Sequence, residues 1–408
     1  MNQTPQQSKF DWLTAAQFIF SILTGLLLMG SFLAGSLVII LGDSVIGIPI
    51  TEGQQGSSLL FVAGVGFAGI LLIPSIYHSG IRLFRGFPRR KISWKGSNWL
   101  VFTLPVFIFL GYLSQANISW GRITLPVFHV LTNGAGIFWL LSLARRKLPE
   151  ENAQRFWGVF GSGLTLAPLI TIVVEIFILI IFGILWWLIL ETQPELQQEL
   201  LSLADRLQQS SITPAIFENT LTKILESPGI TGTIFIYIAA IVPLVEELIK
   251  PVVIWFLLSR NPSPWEGFLL GTAAGAGYAL FENLAIAADA EAWTFVVISR
   301  IGTSAIHILN TGLVGWGLAS AWTEKRYFRF LMSLVAAVSL HGIWNGLNVF
   351  TALAEFPVIQ AGLGPFGSQF AGYAPVGLVI LALGSIAGLI WSNSRFQRAI
   401  MTQINDKK

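Results

Sequence analysis

Long apolar runs recur along the chain, separated by short connections that carry charges, proline or glycine. A helix needs about 20 residues, with a range of about 17–25, to cross the hydrocarbon core of a bilayer. Ten runs reach this length, near residues 14–41, 58–78, 98–114, 123–144, 160–190, 231–258, 265–288, 294–322, 328–350 and 373–392. The pattern therefore predicts an all-α, polytopic membrane helix bundle with about ten transmembrane helices.

Two of these runs differ from a simple span. The run 14–41 is longer than the apolar region of a secretory signal, which has roughly 7–15 residues, so we expect a retained helix. The run 160–190 is long for one helix, and we expect it to be tilted or broken near Pro168.

The composition excludes several classes of protein. Charged residues make up 11% of the 408 positions and hydrophobic residues 54%, whereas an average soluble domain carries about a quarter charged residues. Soluble globular, disordered and fibrous proteins are therefore excluded. The absence of cysteine excludes disulfides, thiolate zinc sites and a cysteine nucleophile. A net charge of +3 gives no reason to expect a nucleic-acid partner.

The basic residues orient the predicted helices. Most of the 24 lysine and arginine residues fall in alternate connections or after the last run, whereas the other connections hold only Arg122, Arg206 and Lys223. Positive charge stays on the cytoplasmic side of a membrane, so both termini are predicted to be cytoplasmic. The sequence therefore predicts an integral, multi-pass protein of the plasma (inner) membrane.

The predicted spans divide the chain into four regions. Residues 1–150 form an N-terminal four-span region, and residues 151–230 hold the fifth span and an outer connection with leucines at the spacing of an amphipathic helix. Residues 231–350 form a core of four helices. Residues 351–408 form the last span and a basic cytoplasmic tail.

Ionisable residues inside the predicted spans are the strongest functional signal, because each costs about 2.5–3.5 kcal/mol at the centre of a membrane helix. The first half of the chain has few, among them His129, interpreted as a partner in an interhelical hydrogen bond, and Glu175, whose role stays open. In the second half, four consecutive spans each hold a polar cluster. The clusters are Glu246, Glu247 and Lys250; Glu282 and Asn283; Arg300 and His307; and His341 and Asn345.

Helical geometry indicates that these clusters meet. Glu246 and Lys250 are four residues apart and can pair on one face, while Glu247 lies about 100° further round, so Lys250 need not neutralise both carboxylates. With a rise of about 1.5 Å per residue, the glutamate pair and both histidines fall midway through their spans. A row of three glycines lets the seventh helix pack closely. We therefore predict one polar site between four helices, within the hydrocarbon layer.

Two kinds of chemistry fit these groups. A glutamate can act as a general base on water, with histidine and asparagine as donors to a developing oxyanion. Alternatively, His307 and His341 with one glutamate, Glu282, bind Zn²⁺ and keep an open position for water. In either scheme Lys250 and Arg300 offset the buried negative charge.

Two other functions use the same groups differently. Glu246, Glu247 and Glu282 could carry protons in a proton-coupled transporter, although the sequence has no convincing internal repeat of the kind that transporters often have. In a non-catalytic membrane scaffold the cluster would be a buried ion-pair network, which is a poor source of stability.

The four clusters resemble, in the same order, the motifs of PrsW-type intramembrane peptidases. The corresponding segments are VEELIK at 245–250, which resembles the EExxK motif, FEN at 281–283, Arg300 with His307, and His341 with Asn345. The resemblance covers about residues 231–350. That family is akin to the CAAX-prenyl and bacteriocin-processing membrane peptidases, from which this sequence departs by Lys250 in the first motif and by Glu282 in place of a histidine.

The resemblance implies an intramembrane endopeptidase that cleaves a membrane protein or a lipid-anchored peptide in the bilayer by activating water at a buried Glu/His site. It implies a zinc cofactor, since the family is classed among metallopeptidases. The implied catalytic residues are Glu246, Glu247, His307 and His341, and the implied accessory residues are Lys250, Glu282, Asn283, Arg300 and Asn345.

Overall fold

The computed structural model of the protein describes residues 11–41, 52–86, 90–116, 118–208, 213–286, 292–353 and 364–405, and these residues are almost entirely helical. The helices are α1 (Trp12–Leu41), α2 (Glu52–Leu71), α3 (Ile73–Arg85), α4 (Leu100–Gln115), α5 (Ile118–Arg145), α6 (Ala153–Leu164), α7 (Leu166–Glu191), α8 (Pro194–Gln208), α9 (Pro214–Glu226), α10 (Pro228–Ile236), α11 (Val242–Ile249), α12 (Val252–Leu257), α13 (Pro264–Ala285), α14 (Trp293–Glu324), α15 (Tyr327–Leu353) and α16 (Gly364–Asn405). The short strands β1 (Lys91–Ile92) and β2 (Glu151–Asn152) pair antiparallel. Apart from this pair and short helical turns of other types, the described chain agrees with the predicted all-α class.

Eight helical stretches of the described residues are long and apolar enough to cross a membrane. They are Trp12–Leu41, Gln55–Arg85, Ser97–Gln115, Trp120–Arg145, Ala153–Glu191, Gly229–Arg260, Tyr327–Ala352 and Ala371–Thr402. An all-α membrane fold is therefore confirmed, whereas a count of ten spans and the cytoplasmic termini stay predictions. The difference lies in α13 and α14, which are long helices at the predicted positions but carry many glycine and polar residues.

The chain forms two compact units. The first unit comprises Met1–Leu166, Thr272–Ser304 and Leu389–Lys408, and the second comprises Ala167–Gly271 and Ala305–Gly388. Helices α13 and α14 contribute residues to both. The four predicted regions follow the order of the spans along the sequence, whereas each of these units combines separate segments. The division into four regions therefore stays a prediction.

The first unit contains a dry apolar cluster around Trp293, which packs with Leu60, Leu125 and Val297. The indole nitrogen of Trp293, on α14, donates to Nδ1 of the buried His129, on α5, at 3.3 Å. This contact agrees with the interpretation of His129 as a partner in an interhelical hydrogen bond.

The fifth apolar run is broken, as the sequence predicts. Helix α6 ends and α7 begins on either side of Thr165, whose hydroxyl donates to the carbonyl oxygen of Gly161 at 2.7 Å. Pro168 then lies in the first turn of α7, where its missing N–H costs no intrahelical hydrogen bond.

The sixth apolar run is divided more than the sequence indicated. It consists of α10, a π-helical turn at Tyr237–Ile241, α11 and α12. Pro243 lies in the first turn of α11, and Pro251 separates α11 from α12 because proline cannot continue the helical hydrogen bonding. The segment that carries the glutamate pair is thus a short helix of 8 residues between two breaks.

The connection after α7, which is predicted to lie on the outer side, is helical and amphipathic. On α8, Leu196 is buried, and Glu199 forms an ion pair with Lys223 of α9. The predicted amphipathic helix is therefore present, together with a second one.

The second unit is held together by close helix contacts. A Cβ atom added at Gly267 or Gly271 of α13 would overlap backbone oxygens of Gly315 or Thr311 on α14. Only glycine allows this approach, which agrees with the packing role predicted for the glycine row.

Candidate active site

Five of the predicted site residues meet inside the second unit, and their side chains are buried. They are Glu246, Glu247, Lys250, His307 and His341. The first two lie on α11, Lys250 follows its last turn, and the histidines lie on α14 and α15. Three sequence-distant segments therefore supply one polar cluster.

Lys250 connects the two carboxylates. Its ammonium nitrogen Nζ lies 2.8 Å from Glu246 Oε2 and 2.8 Å from Glu247 Oε1. The side chains of Lys250 and Glu247 are 0% exposed, and that of Glu246 is 9% exposed. Sequence geometry suggested that Lys250 need not neutralise both carboxylates; the structure shows that it contacts both, because a lysine beyond the helix end reaches across the 100° between them.

The two histidines are held by groups of opposite character. Nδ1 of His341 lies 3.0 Å from Glu247 Oε1, and Nδ1 of His307 lies 2.7 Å from Lys250 Nζ. The two rings meet edge to face, with centroids 4.9 Å apart and planes at 87°. Nε2 of His341 lies 3.8 Å from Glu246 Oε2.

In their neutral forms, the two histidines would take opposite tautomers in these contacts. A carboxylate can only accept, so His341 carries its proton on Nδ1 and leaves the lone pair on Nε2. An ammonium can only donate, so His307 accepts at Nδ1 and carries its proton on Nε2. One ring therefore offers an acceptor and the other a donor.

The backbone of α15 is fixed against the π turn. Asn345 Nδ2 donates to the carbonyl oxygen of Ile238 at 3.1 Å, and a Cβ atom added at Gly342 would overlap the carbonyl oxygen of Ala239. The π turn leaves carbonyl groups without their usual helical partners, and Asn345 pairs with one of them. Asn345 thus supports the helix that carries His341.

The other three predicted residues form a cluster within the first unit. Nη2 of Arg300 lies 2.7 Å from Glu282 Oε2, and its Nε donates to Asn283 Oδ1 at 2.8 Å. Asn283 Nδ2 in turn donates to Ser304 Oγ at 2.9 Å. The cluster therefore consists of one ion pair, between Arg300 and Glu282, and two hydrogen bonds made by the side-chain amide of Asn283.

Three residues of the second unit's cluster could hold a metal ion. Glu246, His307 and His341 each offer a ligand atom, and these atoms lie within 4.8 Å of one another. Glu246 Oε2 is buried and has no aligned hydrogen bond, despite its closeness to Lys250. The carboxylate of Glu282, the ligand expected from the sequence, lies instead on Arg300.

Sequence reasoning missed two residues that border the site. Thr311 Oγ1 donates to Glu247 Oε2 at 3.4 Å, and Asn310 Nδ2 donates to the carbonyl oxygen of Ala337 at 3.0 Å, which ties α14 to α15. Thr311 follows His307 by four residues and so shares its face of the helix. That spacing was the available signal for it.

Comparison with known proteins identifies a family that part of the chain matches. Residues 209–375 match the family model of the PrsW family intramembrane metalloproteases. No curated protein and no solved structure matches the chain. The matched segment contains both polar clusters, and it confirms the resemblance seen in the four motifs.

Proposed function

Because residues 209–375 match the PrsW family intramembrane metalloproteases, we propose that this protein is a membrane-embedded endopeptidase of the plasma (inner) membrane. Its active site consists of Glu246, Glu247, Lys250, His307 and His341. The observation that carries the proposal is the burial of two carboxylates, one ammonium and two imidazoles in contact with one another. Such a group is too costly for packing alone in a membrane protein.

The charge of the cluster supports a site that attracts a cation or a proton. Two carboxylates and one ammonium leave one net negative charge among buried side chains. An uncompensated buried charge is strongly unfavourable. The cluster therefore gains from a further positive charge near Glu246 Oε2, which lies beside Lys250 but has no aligned hydrogen bond.

The two glutamates have different tasks in this proposal. Glu247 is fully buried and bound to Lys250, His341 and Thr311, so it is a positioning residue that orients His341. A carboxylate that accepts a hydrogen bond from one ring nitrogen of a histidine fixes the tautomer and raises the basicity of the other ring nitrogen. Glu246 has the freer oxygen and acts directly on the reacting groups.

The metal form of the site uses Glu246 together with His307 and His341 as ligands, with Glu246 in the position that sequence reasoning gave to Glu282. A bound zinc ion would polarise both a water molecule and the scissile carbonyl. In this arrangement Glu247 holds His341 in the ligating tautomer. Lys250 contacts two of the three residues that would hold the metal, Glu246 and His307.

The metal-free form is favoured by the same lysine contacts, because the ammonium already holds the position between Glu246 and His307. Glu246 then removes a proton from water, and the resulting hydroxide attacks the peptide carbonyl. The Nε2–H of His307 donates to the oxyanion. Glu246 returns the proton to the leaving amine as the C–N bond breaks.

The substrate class follows from the surroundings of the site. Helix α11 carries the glutamate pair on its buried side, whereas Leu244 and Leu248 on the same helix are exposed. Exposed leucines on a membrane helix face lipid, so the substrate we propose is a transmembrane segment or a lipid-anchored peptide that approaches within the bilayer.

The test has two steps. Comparative proteomics of membrane fractions from wild type and Glu247→Gln first identifies proteins that accumulate as candidate substrates. Cleavage of these substrates is then measured with purified variants in proteoliposomes. Glu246→Gln and His341→Ala are expected to lower cleavage by about 10²–10⁴-fold, and Glu247→Gln and His307→Ala to do so as well.

Glu175→Gln is the matched control, since it changes another acidic residue of an apolar helix outside the site. Normal cleavage by all four site variants, with intact folding, would contradict the proposal. Proton-driven flux without proteolysis would instead indicate the transporter.

A further inference from the structure

A cavity of about 730 Å³ opens where α14 ends and α15 begins. This volume lies within the range of about 300–1,000 Å³ that is usual for ligand pockets. The cavity lies in the second unit and contains none of the five active-site residues. Its walls are mainly apolar, with Leu313, Trp316, Met332 and Ala336 among them.

The mouth of the cavity is basic. Lys325, Arg326 and Arg329 line it, and the carboxylate of Glu324 lies 3.4 Å from Arg326 Nε and 2.8 Å from Arg329 Nη1. Lys325 Nζ donates to the carbonyl oxygen of Trp322 at 3.2 Å. Two of the three cations thus contact one carboxylate and the third contacts a backbone carbonyl, which leaves an excess of positive charge at the rim, where Arg326 is 59% exposed.

Aromatic residues mark this rim as a membrane interface. Tyr327 and Phe328 are both strongly exposed, Phe328 to 74%, and Arg329 stacks on the ring of Trp316 at 4.8 Å. Aromatic belts of this kind lie at the level of the lipid headgroups. The positive-inside rule predicts that this connection is cytoplasmic, the side on which anionic lipids concentrate.

We propose that this cavity binds an anionic phospholipid, with the phosphate headgroup at Lys325 and Arg326 and an acyl chain along Met332 and Ala336. A basic rim above an apolar wall matches the two halves of such a lipid. A free phosphate or an acidic peptide would pair with the cations alone and would make no use of the apolar wall. Basic pockets between cytoplasmic helix ends are a known physical solution for anionic headgroups.

The test uses native mass spectrometry of the full-length protein released from detergent micelles. Palmitoyl-oleoyl phosphatidylglycerol is titrated against phosphatidylcholine with the same acyl chains. The first variant, Lys325→Asn/Arg326→Gln, removes two cations, and asparagine suits the left-handed backbone of Lys325, whose φ is 57°. The second variant, Ala336→Trp, fills the apolar wall and leaves every charge in place.

Arg395→Gln/Arg398→Gln is the matched control. It also removes two exposed cations that are predicted to be cytoplasmic, one of which stacks on Trp391 at 5.0 Å.

Wild type is expected to prefer phosphatidylglycerol. The first variant should lose about 30-fold in affinity, since each cation near an anionic surface is worth about 1 kcal/mol and a tenfold change corresponds to 1.4 kcal/mol. Ala336→Trp should also weaken binding, and the arginine control should not.

Three results would overturn the proposal: equal binding of the two lipids, equal behaviour of the first variant and the control, or competition by glycerol phosphate or an acidic peptide as effective as that by the lipid. Lipid binding is measured without any protein substrate, so its outcome does not depend on whether the protein is a protease.

Discussion

The lysine at the centre of the site offers the sharpest test of the described contacts. Methionine has a similar length and flexibility but no charge, so Lys250→Met removes the ammonium and keeps most of the packing. The change leaves two adjacent buried carboxylates, Glu246 and Glu247, without the cation that lies 2.8 Å from each.

The expected cost follows from burial. Removing one partner of a buried ion pair costs about 3–5 kcal/mol, because the remaining charge stays uncompensated. The ion pair of Lys223 with Glu199 provides the comparison, since the Lys223 side chain is 48% exposed. Exposed pairs contribute about 0–1 kcal/mol, so Lys223→Met should barely change the free energy of unfolding.

The measurement is equilibrium unfolding in mixed detergent micelles, followed by tryptophan fluorescence, with a chelator present. A double-mutant cycle adds Glu246→Gln, which removes one of the two stranded carboxylates. The combined variant should be less destabilised than the sum of the single changes, with a coupling energy of about 0.5–3 kcal/mol.

Zinc provides a second measurement on the same variants. A metal at 1,000 times its dissociation constant stabilises a folded protein by about 4.1 kcal/mol. Zinc should stabilise Lys250→Met at least as much as wild type, because this variant has no ammonium in contact with Glu246 and His307. If Lys250→Met unfolds like Lys223→Met, or if the cycle gives no coupling, the described ion-pair geometry is refuted.

Three further predictions concern the support and the metal content of the site. Gly342→Ala should destabilise the protein by about 3 kcal/mol, the upper end of the overpacking range, because the clash is with rigid backbone. Gly346→Ala on the same helix, with no atom within 4 Å, should instead stabilise it by about 0.5–1 kcal/mol; similar effects of the two changes would contradict the close approach. Asn345→Leu should cost about 1–3 kcal/mol by leaving a π-turn carbonyl unpaired, and an unchanged unfolding curve would show that water replaces it. For the metal form of the site, elemental analysis should find one zinc per chain, lost in His307→Ala; full zinc retention in that variant would exclude this histidine as a ligand, and active protein without zinc would indicate the metal-free form.

Much of the site could be predicted because depth in a membrane helix depends only on residue number. Glu246, His307 and His341 lie midway through their predicted spans, and helical rise alone brings them to one level. The residue types then predicted that these side chains contact one another, since charges are too costly in apolar spans to occur there without a partner. The rotation of each helix about its axis could not be obtained in this way.

That rotation decides which residues touch. The π turn before α11 inserts an extra residue, and one residue corresponds to about 100° of rotation. No propensity pattern distinguishes Tyr237–Ile241 from ordinary helix, although Pro243 and Pro251 indicate that the run is interrupted. The pairing of Glu282 with Arg300 and the position of Glu246 beside the histidines depend on such packing details, which the sequence pattern does not contain.

The count of ten spans stays a prediction for a related reason. Helix α13 is buried from Gly267 to Leu280, so its surface has no need of the hydrophobicity that lipid demands. Spacing and flanking charges predicted a helix there. Average hydropathy measures lipid exposure rather than membrane position, and the two differ for a helix enclosed by protein.

The enclosed helix also bears on how the chain is made. During synthesis each segment partitions from the translocon into lipid according to its own hydrophobicity, and α13 offers glycine and alanine where its neighbours offer leucine and isoleucine. It is therefore expected to enter the bilayer together with partner helices rather than alone. We therefore expect the helices that carry the candidate site to assemble only after segments upstream of them have been inserted.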